Sequence, residues 1–438
     1  MSSTGRTAHR RTSGPLWWGN PYIFLACVLL PAAIIIASFS TSIVARNGHG
    51  YAAPNYISGG YLFLYLFPIV VLTAASWFGA QRPLPQKVYV FKPQALDFLF
   101  WSTAIAYAIW FGPVLAQQPS MVLGALIGQP GASYEIREAN LNVRGVTTMT
   151  QFGIAYVSVF AITKYLLGHS LARRYSYYMA GVFLFALFRA IVNSERIALL
   201  ELIFPFVLVY GSSAHARQHR LISAVCKVFP VLTILGAPVF FAIFEYNRSW
   251  VSHYQYRFSN IFAFSLERLL IYYVTALNNI AGFMQTLPWP TYAGEMTLDW
   301  LFRAPFVSSL FPGVAELNRD VYMRYLSEYA SEEFNNATGT LIVFHDWGIV
   351  GGTLLFILLG FVTGLAFASF ARKRGALMYA YPLLFYSLYE SLRIGYVYDG
   401  RCVAAFIGMV FCALVWGRWG RLRSAPRRPA SPARSASG

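Results

Sequence analysis

The sequence predicts an all-α, polytopic membrane protein of about ten transmembrane helices with one large extracytoplasmic loop domain. Three observations carry this. Hydrophobic residues make up 57% of the 438 and charged residues only 12%, where a soluble domain carries about 25% charged. The apolar residues fall in unbroken runs of about twenty, the length of a helix crossing hydrocarbon. One stretch, 246–337, breaks that pattern with eight of the seventeen acids, six arginines and no lysine. Its charges and irregular backbone cannot be satisfied in hydrocarbon. A β-barrel is excluded, because barrel strands alternate over about ten residues.

Residues 1–19 form a cytoplasmic tail with Arg6, Arg10 and Arg11, ending at the interfacial pair Trp17-Trp18. The first apolar run exceeds a signal-peptide core and shows no small-residue cleavage site, so it is expected to stay as a helix. Spans one to seven occupy 20–245, at 20–43, 58–79, 95–116, 148–168, 177–193, 197–212 and 223–245. An outer loop fills 117–147, where Met121–Ile127 has the pattern of an interfacial helix. The large loop runs over 246–346, with helical stretches at Phe262–Met284 and Leu317–Ala330 and a break at Pro288-Trp289-Pro290. Spans eight to ten occupy 347–418, at 347–371, 377–391 and 402–418. Residues 419–438 are a disordered basic tail of Arg, Ser, Pro and Ala, suited to anionic lipid.

With both termini inside, the cytoplasmic segments hold nineteen of the 34 basic residues and no Asp or Glu. The positive-inside rule accounts for the net charge of +17 without nucleic acid. Cys27, Cys226, Cys402 and Cys412 all lie in apolar runs and read as small buried hydrophobes, with no zinc or disulfide spacing. No Walker, Rossmann, zincin or nucleophile-elbow motif is present, nor a DxD-like acid pair for metal–nucleotide chemistry. No metal or cofactor is therefore expected.

Charges at helix ends are the informative residues, since a charge facing lipid costs at least a few kcal/mol. Arg189 closes the fifth span, Glu195 and Arg196 open the sixth, and Glu245 and Arg248 close the seventh. His345 and Asp346 precede the eighth, Glu390 and Arg393 end the ninth, and Asp399 and Arg401 precede the tenth. In the expected topology all fall near the outer leaflet, where they could line one polar chamber. Structural alternatives stand beside that reading. Ser194 could N-cap a helix starting at Glu195, Arg248 could snorkel, and Glu390 with Arg393 could satisfy each other three residues apart. Arginine rather than lysine suits bidentate contact with phosphate or diphosphate.

Three stretches together are similar to the O-antigen polymerase family, the oligosaccharide repeat-unit polymerases of bacterial polysaccharide synthesis. They are Arg189-Ala-Ile-Val-Asn-Ser-Glu-Arg-Ile-Ala-Leu-Leu200, Tyr272-Tyr273-Val-Thr-Ala-Leu-Asn-Asn-Ile280, and the run from Phe334 through His345-Asp346-Trp347-Gly348 to Gly351. The resemblance implies a GT-C-like fold and a metal-independent glycosyltransferase of the bacterial inner membrane. Such an enzyme moves glycan from undecaprenyl diphosphate onto the next lipid-linked repeat unit on the periplasmic side. Its partners would be that lipid-linked oligosaccharide, membrane lipid and a chain-length regulator protein. It implies diphosphate or substrate ligands at Arg196, Arg248, Arg137, Arg144, Arg189, Asn278 and Asn279, with His345 as general base and Asp346 or Glu195 in reserve. Tyr272, Tyr273, Trp289, Tyr292 and Trp300 could stack on sugar rings. The repeated Arg-to-Gly spacing of some members is not matched after Arg137 or Arg144. An O-antigen ligase and a transporter or flippase are the competing readings.

Overall fold

The computed structural model describes residues 14–45, 53–129, 131–139, 143 and 145–421. Arg144 and the tails before 14 and after 421 lie outside the described residues, as do the side chains of Arg137 and Arg248. In chain order the principal helices are α1 (Pro21–Ser40), α2 (Gly59–Ala80), α3 (Gln94–Gln117), α4 (Phe152–Ala161), α5 (Arg173–Val192) and α6 (Ile197–Gly211). They continue as α7 (Arg220–Glu245), α8 (Ile261–Thr286), α9 (Val314–Tyr329), α10 (Leu341–Arg372), α11 (Tyr381–Glu390) and α12 (Gly400–Trp416). Among the described residues seven helices, α1, α2, α3, α5, α7, α8 and α10, are long and apolar enough to cross a membrane.

Six of the seven coincide with expected spans. The seventh, α8, lies inside the stretch read as wholly outside hydrocarbon. Its charges Glu267 and Arg268 are confined to the first two turns. Asn278 and Asn279 are fully buried and pair with backbone carbonyls, which removes the penalty of their amides. The α-helices of the remaining expected spans are all shorter than eighteen residues. Residues 148–168 form a 3-10 turn at Thr147–Gln151, then α4, then a π turn at Ile162–Leu166. Helices α6, α11 and α12 have 15, 10 and 17 residues.

Burial sorts the helices. Every residue of α4 is buried, which places it at the centre of the bundle. Helix α7 is at the other extreme, with Leu221, Ile234 and Leu235 each at least 65% exposed. A soluble protein would not leave such a face to water. Helices α2 and α10 lie closest together. A Cβ on Gly364 would sit 2.0 Å from the Ser76 carbonyl oxygen, and one on Gly79 would sit 2.2 Å from that of Phe361. Gly360 and Gly364, four residues apart, thus make the small-residue face that lets two backbones touch without lipid between them.

Caps follow the sequence. Asn260 accepts from the amides of Phe262 and Ala263 at 3.0 and 2.9 Å to start α8. Asp399 accepts from Arg401 N at 2.8 Å to start α12. Helix α10 is interrupted at Gly348, with φ 67° and ψ 178°. At one end of the bundle β1 (Lys87–Phe91) and β2 (Gly417–Arg421) pair antiparallel, tying the α2–α3 connection to the end of α12. Cys226, Cys402 and Cys412 are buried, but Cys27 is exposed on α1, so the expectation of four buried cysteines holds for three.

Candidate functional site

The junction between α5 and α6 organises the charged interior. Ser194 there takes a left-handed backbone, φ 53°, uncommon for a residue with a Cβ. Helix α6 therefore starts at Arg196 as N-cap, with no side-chain capping bond, and Ser194 is not the cap the sequence offered. Two consecutive charged residues, Glu195 and Arg196, leave this kink into two separate ion networks.

Glu195 serves the first. Its Oε2 accepts from Arg189 Nε at 2.8 Å and NH2 at 2.5 Å, and from Arg401 NH2 at 3.1 Å. Arg401 also lies 3.8 Å from Glu201, whose Oε2 accepts from the Tyr396 hydroxyl at 2.9 Å. With its amide oriented to suit its neighbours, Gln151 donates to Glu201 Oε1 at 3.1 Å and accepts from Arg189 at 2.7 Å. Arg189 and Glu201 are 3% and 2% exposed, so this network is within the bundle.

Arg196 serves the second. It meets Glu245 at 3.0 Å, and Arg268 of α8 meets the same carboxylate at 3.1 Å. The Ser249 hydroxyl donates to Glu245 at 2.5 Å. Arg268 reaches on to Glu333 at 2.5 Å, which also accepts from the Tyr254 hydroxyl at 3.2 Å. Burial, and then the Glu333 carboxylate, push the Tyr254 phenol up, so it stays protonated as a donor. Arg196 lies over the Phe241 ring at 3.8 Å and near Tyr272 at 5.6 Å. Four guanidinium groups thus face four carboxylates, which is how charges persist in an apolar interior.

The His345–Asp346 pair lies elsewhere. Asp346 Oδ1 is 3.0 Å from His345 Nδ1, while Oδ2 accepts from Met296 N, Thr297 N and the Thr297 hydroxyl at 3.0, 2.7 and 2.7 Å. Thr291 N and Tyr292 N donate to the carbonyls of His345 and Asp346. Asp346 is thus the clasp that folds 291–297 back onto α10. His345 packs on Phe283, fifteen residues along α8 from Arg268. At 1.5 Å per residue that is about 22 Å along the helix axis. The expected single chamber is not formed by His345 and the arginines together.

This chain matches no family model, no curated protein and no solved structure.

The other expected ligands have structural employment. Asn278 accepts from Tyr56 N at 2.8 Å and donates to Pro54 O at 2.9 Å, pinning the segment before α2. Asn279 donates to Phe334 O and Asn336 O, pinning the segment before α10. Glu390 pairs with Arg393 at 2.8 Å, as the sequence allowed. Tyr272 sits with the arginines, 5.3 Å from the Phe334 ring, whereas Trp289 and Tyr292 belong to the loop clasped by Asp346. Sequence reasoning missed Glu201, Arg268, Gln151 and Tyr396 as members of the networks. Glu201 had a signal, since it is the one acid in the apolar run 197–212. Arg268 had none, because its partners are 23 and 65 residues away in sequence (Glu245 and Glu333). Among the described residues no three His, Cys, Asp or Glu side chains come together.

Proposed function

We propose that this chain is a metal-independent glycosyltransferase of the bacterial cytoplasmic membrane. It would polymerise lipid-linked oligosaccharide repeat units, taking glycan from undecaprenyl diphosphate on the outer side while both termini face the cytoplasm. The observation that carries this reading is the split at Glu195–Arg196, where a left-handed residue feeds two buried arginine networks. Ionisable residues held between membrane helices are costly and mark the working site by default. A strained residue between them is the kind of position that function retains.

In this reading a diphosphate competes with the carboxylates for the guanidiniums. Arg196 and Arg401 are the more accessible members, with side chains 11% and 26% exposed, against 4% and 3% for Arg189 and Arg268. They would take the leaving diphosphate, where negative charge builds up as the glycosidic bond breaks and where fixed cations lower the barrier most. Glu195, released by Arg401, would accept the proton of the acceptor hydroxyl. The bond from that oxygen to the anomeric carbon forms as the bond from the same carbon to the diphosphate oxygen breaks. His345 and Asp346 drop out of the chemistry and hold the loop. A chain-length regulator remains a candidate partner.

A second reading, a transporter or flippase, is favoured by two observations. Glu201 is a carboxylate within an apolar helix, and α10 is interrupted at Gly348. One experiment separates the readings. A deletion strain that accumulates single lipid-linked repeat units and displays single capped units supports polymerisation. Long lipid-linked chains would mean a ligase. Unchanged polymer length, or uptake into reconstituted vesicles with no elongation, would sink the polymerase reading.

A further inference from the structure

We propose that the β1–β2 end of the bundle is a binding seat for one anionic phospholipid, with an acyl chain along α12 and the headgroup on the cations at its end. Two independent observations meet there. The first is a groove of about 370 Å³ on α12, lined only by Val403, Phe406, Ile407, Val410, Phe411 and Leu414. Leu414 is 82% exposed and Ile407 and Val410 are more than half exposed, so the groove opens on the outside of the bundle. Its occupant must be apolar and elongated, running along the helix.

The second is the chemistry at the groove's end. Helix α12 passes directly into β2 at Gly417, and exposed Arg418 follows. Lys92, also exposed, donates its backbone N–H to Trp416 O at 2.9 Å, which brings it to the same end of the helix. Arg418 faces Val90 in the strand register, and Lys87 lies at the start of the same paired strand. The turn after α10 joins them through Gly375, whose N–H donates to Lys87 O at 3.0 Å. Burial, and then the neighbouring Arg217, hold the Lys373 ammonium below the usual lysine range. Segments 80–94, 372–380 and 417–421 contain no Asp or Glu, and the next acid, Asp97, is held by Arg174 at 3.2 Å. Trp419, 53% exposed against Tyr89 at 5.0 Å, supplies the amphipathic ring found at the headgroup level. An apolar groove ending in uncompensated cations and an interfacial tryptophan matches an anionic phospholipid and neither a free phosphate nor a peptide.

The test is native mass spectrometry of the full chain released from micelles, with phosphatidylglycerol, phosphatidylcholine, a polyprenyl phosphate and free glycerol phosphate as separate probes. Phosphatidylglycerol should be retained and the other three not. Lys92→Gln with Arg418→Gln should weaken retention on the order of 30-fold, at about fivefold per cation near a lipid surface. Val410→Trp should weaken it with both cations intact, by filling the groove. Equal retention of phosphatidylcholine, preference for the polyprenyl phosphate, or binding of glycerol phosphate alone overturns the proposal. So does a folded double variant that holds phosphatidylglycerol as the parent does. If the double variant does not fold, Val410→Trp decides, because its side chain lies on an exposed apolar face: unaltered retention there rejects the seat.

Discussion

Glu245 is fully buried, and Arg196, Arg268 and Ser249 all reach it within 3.1 Å. Removing one partner leaves charge uncompensated in a medium that cannot solvate it. Arg268→Ala is therefore expected to cost about 3–5 kcal/mol, read as a lower melting temperature in detergent. An Arg268→Met, Glu333→Gln double variant should cost less than Arg268→Ala, since the Arg196–Glu245 pair at 3.0 Å is kept and the carboxylate that Arg268 alone would strand is gone. A double variant melting below the single one would contradict that charge balance. At Glu195 the expectation is functional. Glu195→Gln keeps the shape but neither the charge nor the base, and surface polymer should fall about 100-fold or more, as should polymer in Arg401→Ala. Full-length polymer from both would remove the first network from the site. At this scale the sequence showed which helix ends carry charge, and Glu390–Arg393 was legible because three residues define one helical face. The Arg268–Glu333 pair was not, because only packing brings α8 to the segment before α10.

Two elements carry most of the architecture's constraint. Gly348 interrupts α10 with a backbone that glycine alone adopts freely, and a Cβ there would meet Pro290 at 3.1 Å. Gly348→Ala should cost about 1–3 kcal/mol, and proteolysis within 289–297 should speed up as the Asp346 clasp loosens. Stability equal to the parent would mean the break is incidental. The α2–α10 contact is less forgiving. Gly364→Leu would drive a side chain into the Ser76 carbonyl, so the variant is expected not to yield monodisperse protein, whereas Gly236→Leu on lipid-exposed α7, with open space around it, should. The glycine spacing of 360 and 364 could be read from the chain; its partner helix could not. The apolar period placed most helices, but it did not single out α8, which is long and apolar enough to cross a membrane although it lies in the stretch read as outside hydrocarbon. Its mixed polarity reads as surface until Asn278 and Asn279 are seen paired to backbone.

Across the whole molecule charge is partitioned. One end collects cations with no acids in the connecting segments, while the interior pairs four arginines with four glutamates around one kink. The first arrangement suits contact with an anionic leaflet. The second holds guanidiniums ready without leaving bare charge in hydrocarbon. Raising ionic strength should weaken lipid retention at the β1–β2 end while leaving thermal stability little changed, because buried pairs are screened far less than exposed ones. A melting temperature that falls steeply with salt would contradict that partition.

Local hydropathy and residue counts were enough to give the mostly helical, membrane-protein class and the approximate positions of most long apolar helices. The folded molecule was needed to establish which charges pair, that Glu195 and Arg196 diverge, and that His345 packs on α8 about 22 Å along its axis from Arg268. Periodicity belongs to residues that are neighbours in the chain. A buried ion pair belongs to two helices whose meeting is set by close packing, and nothing in either segment alone names the other.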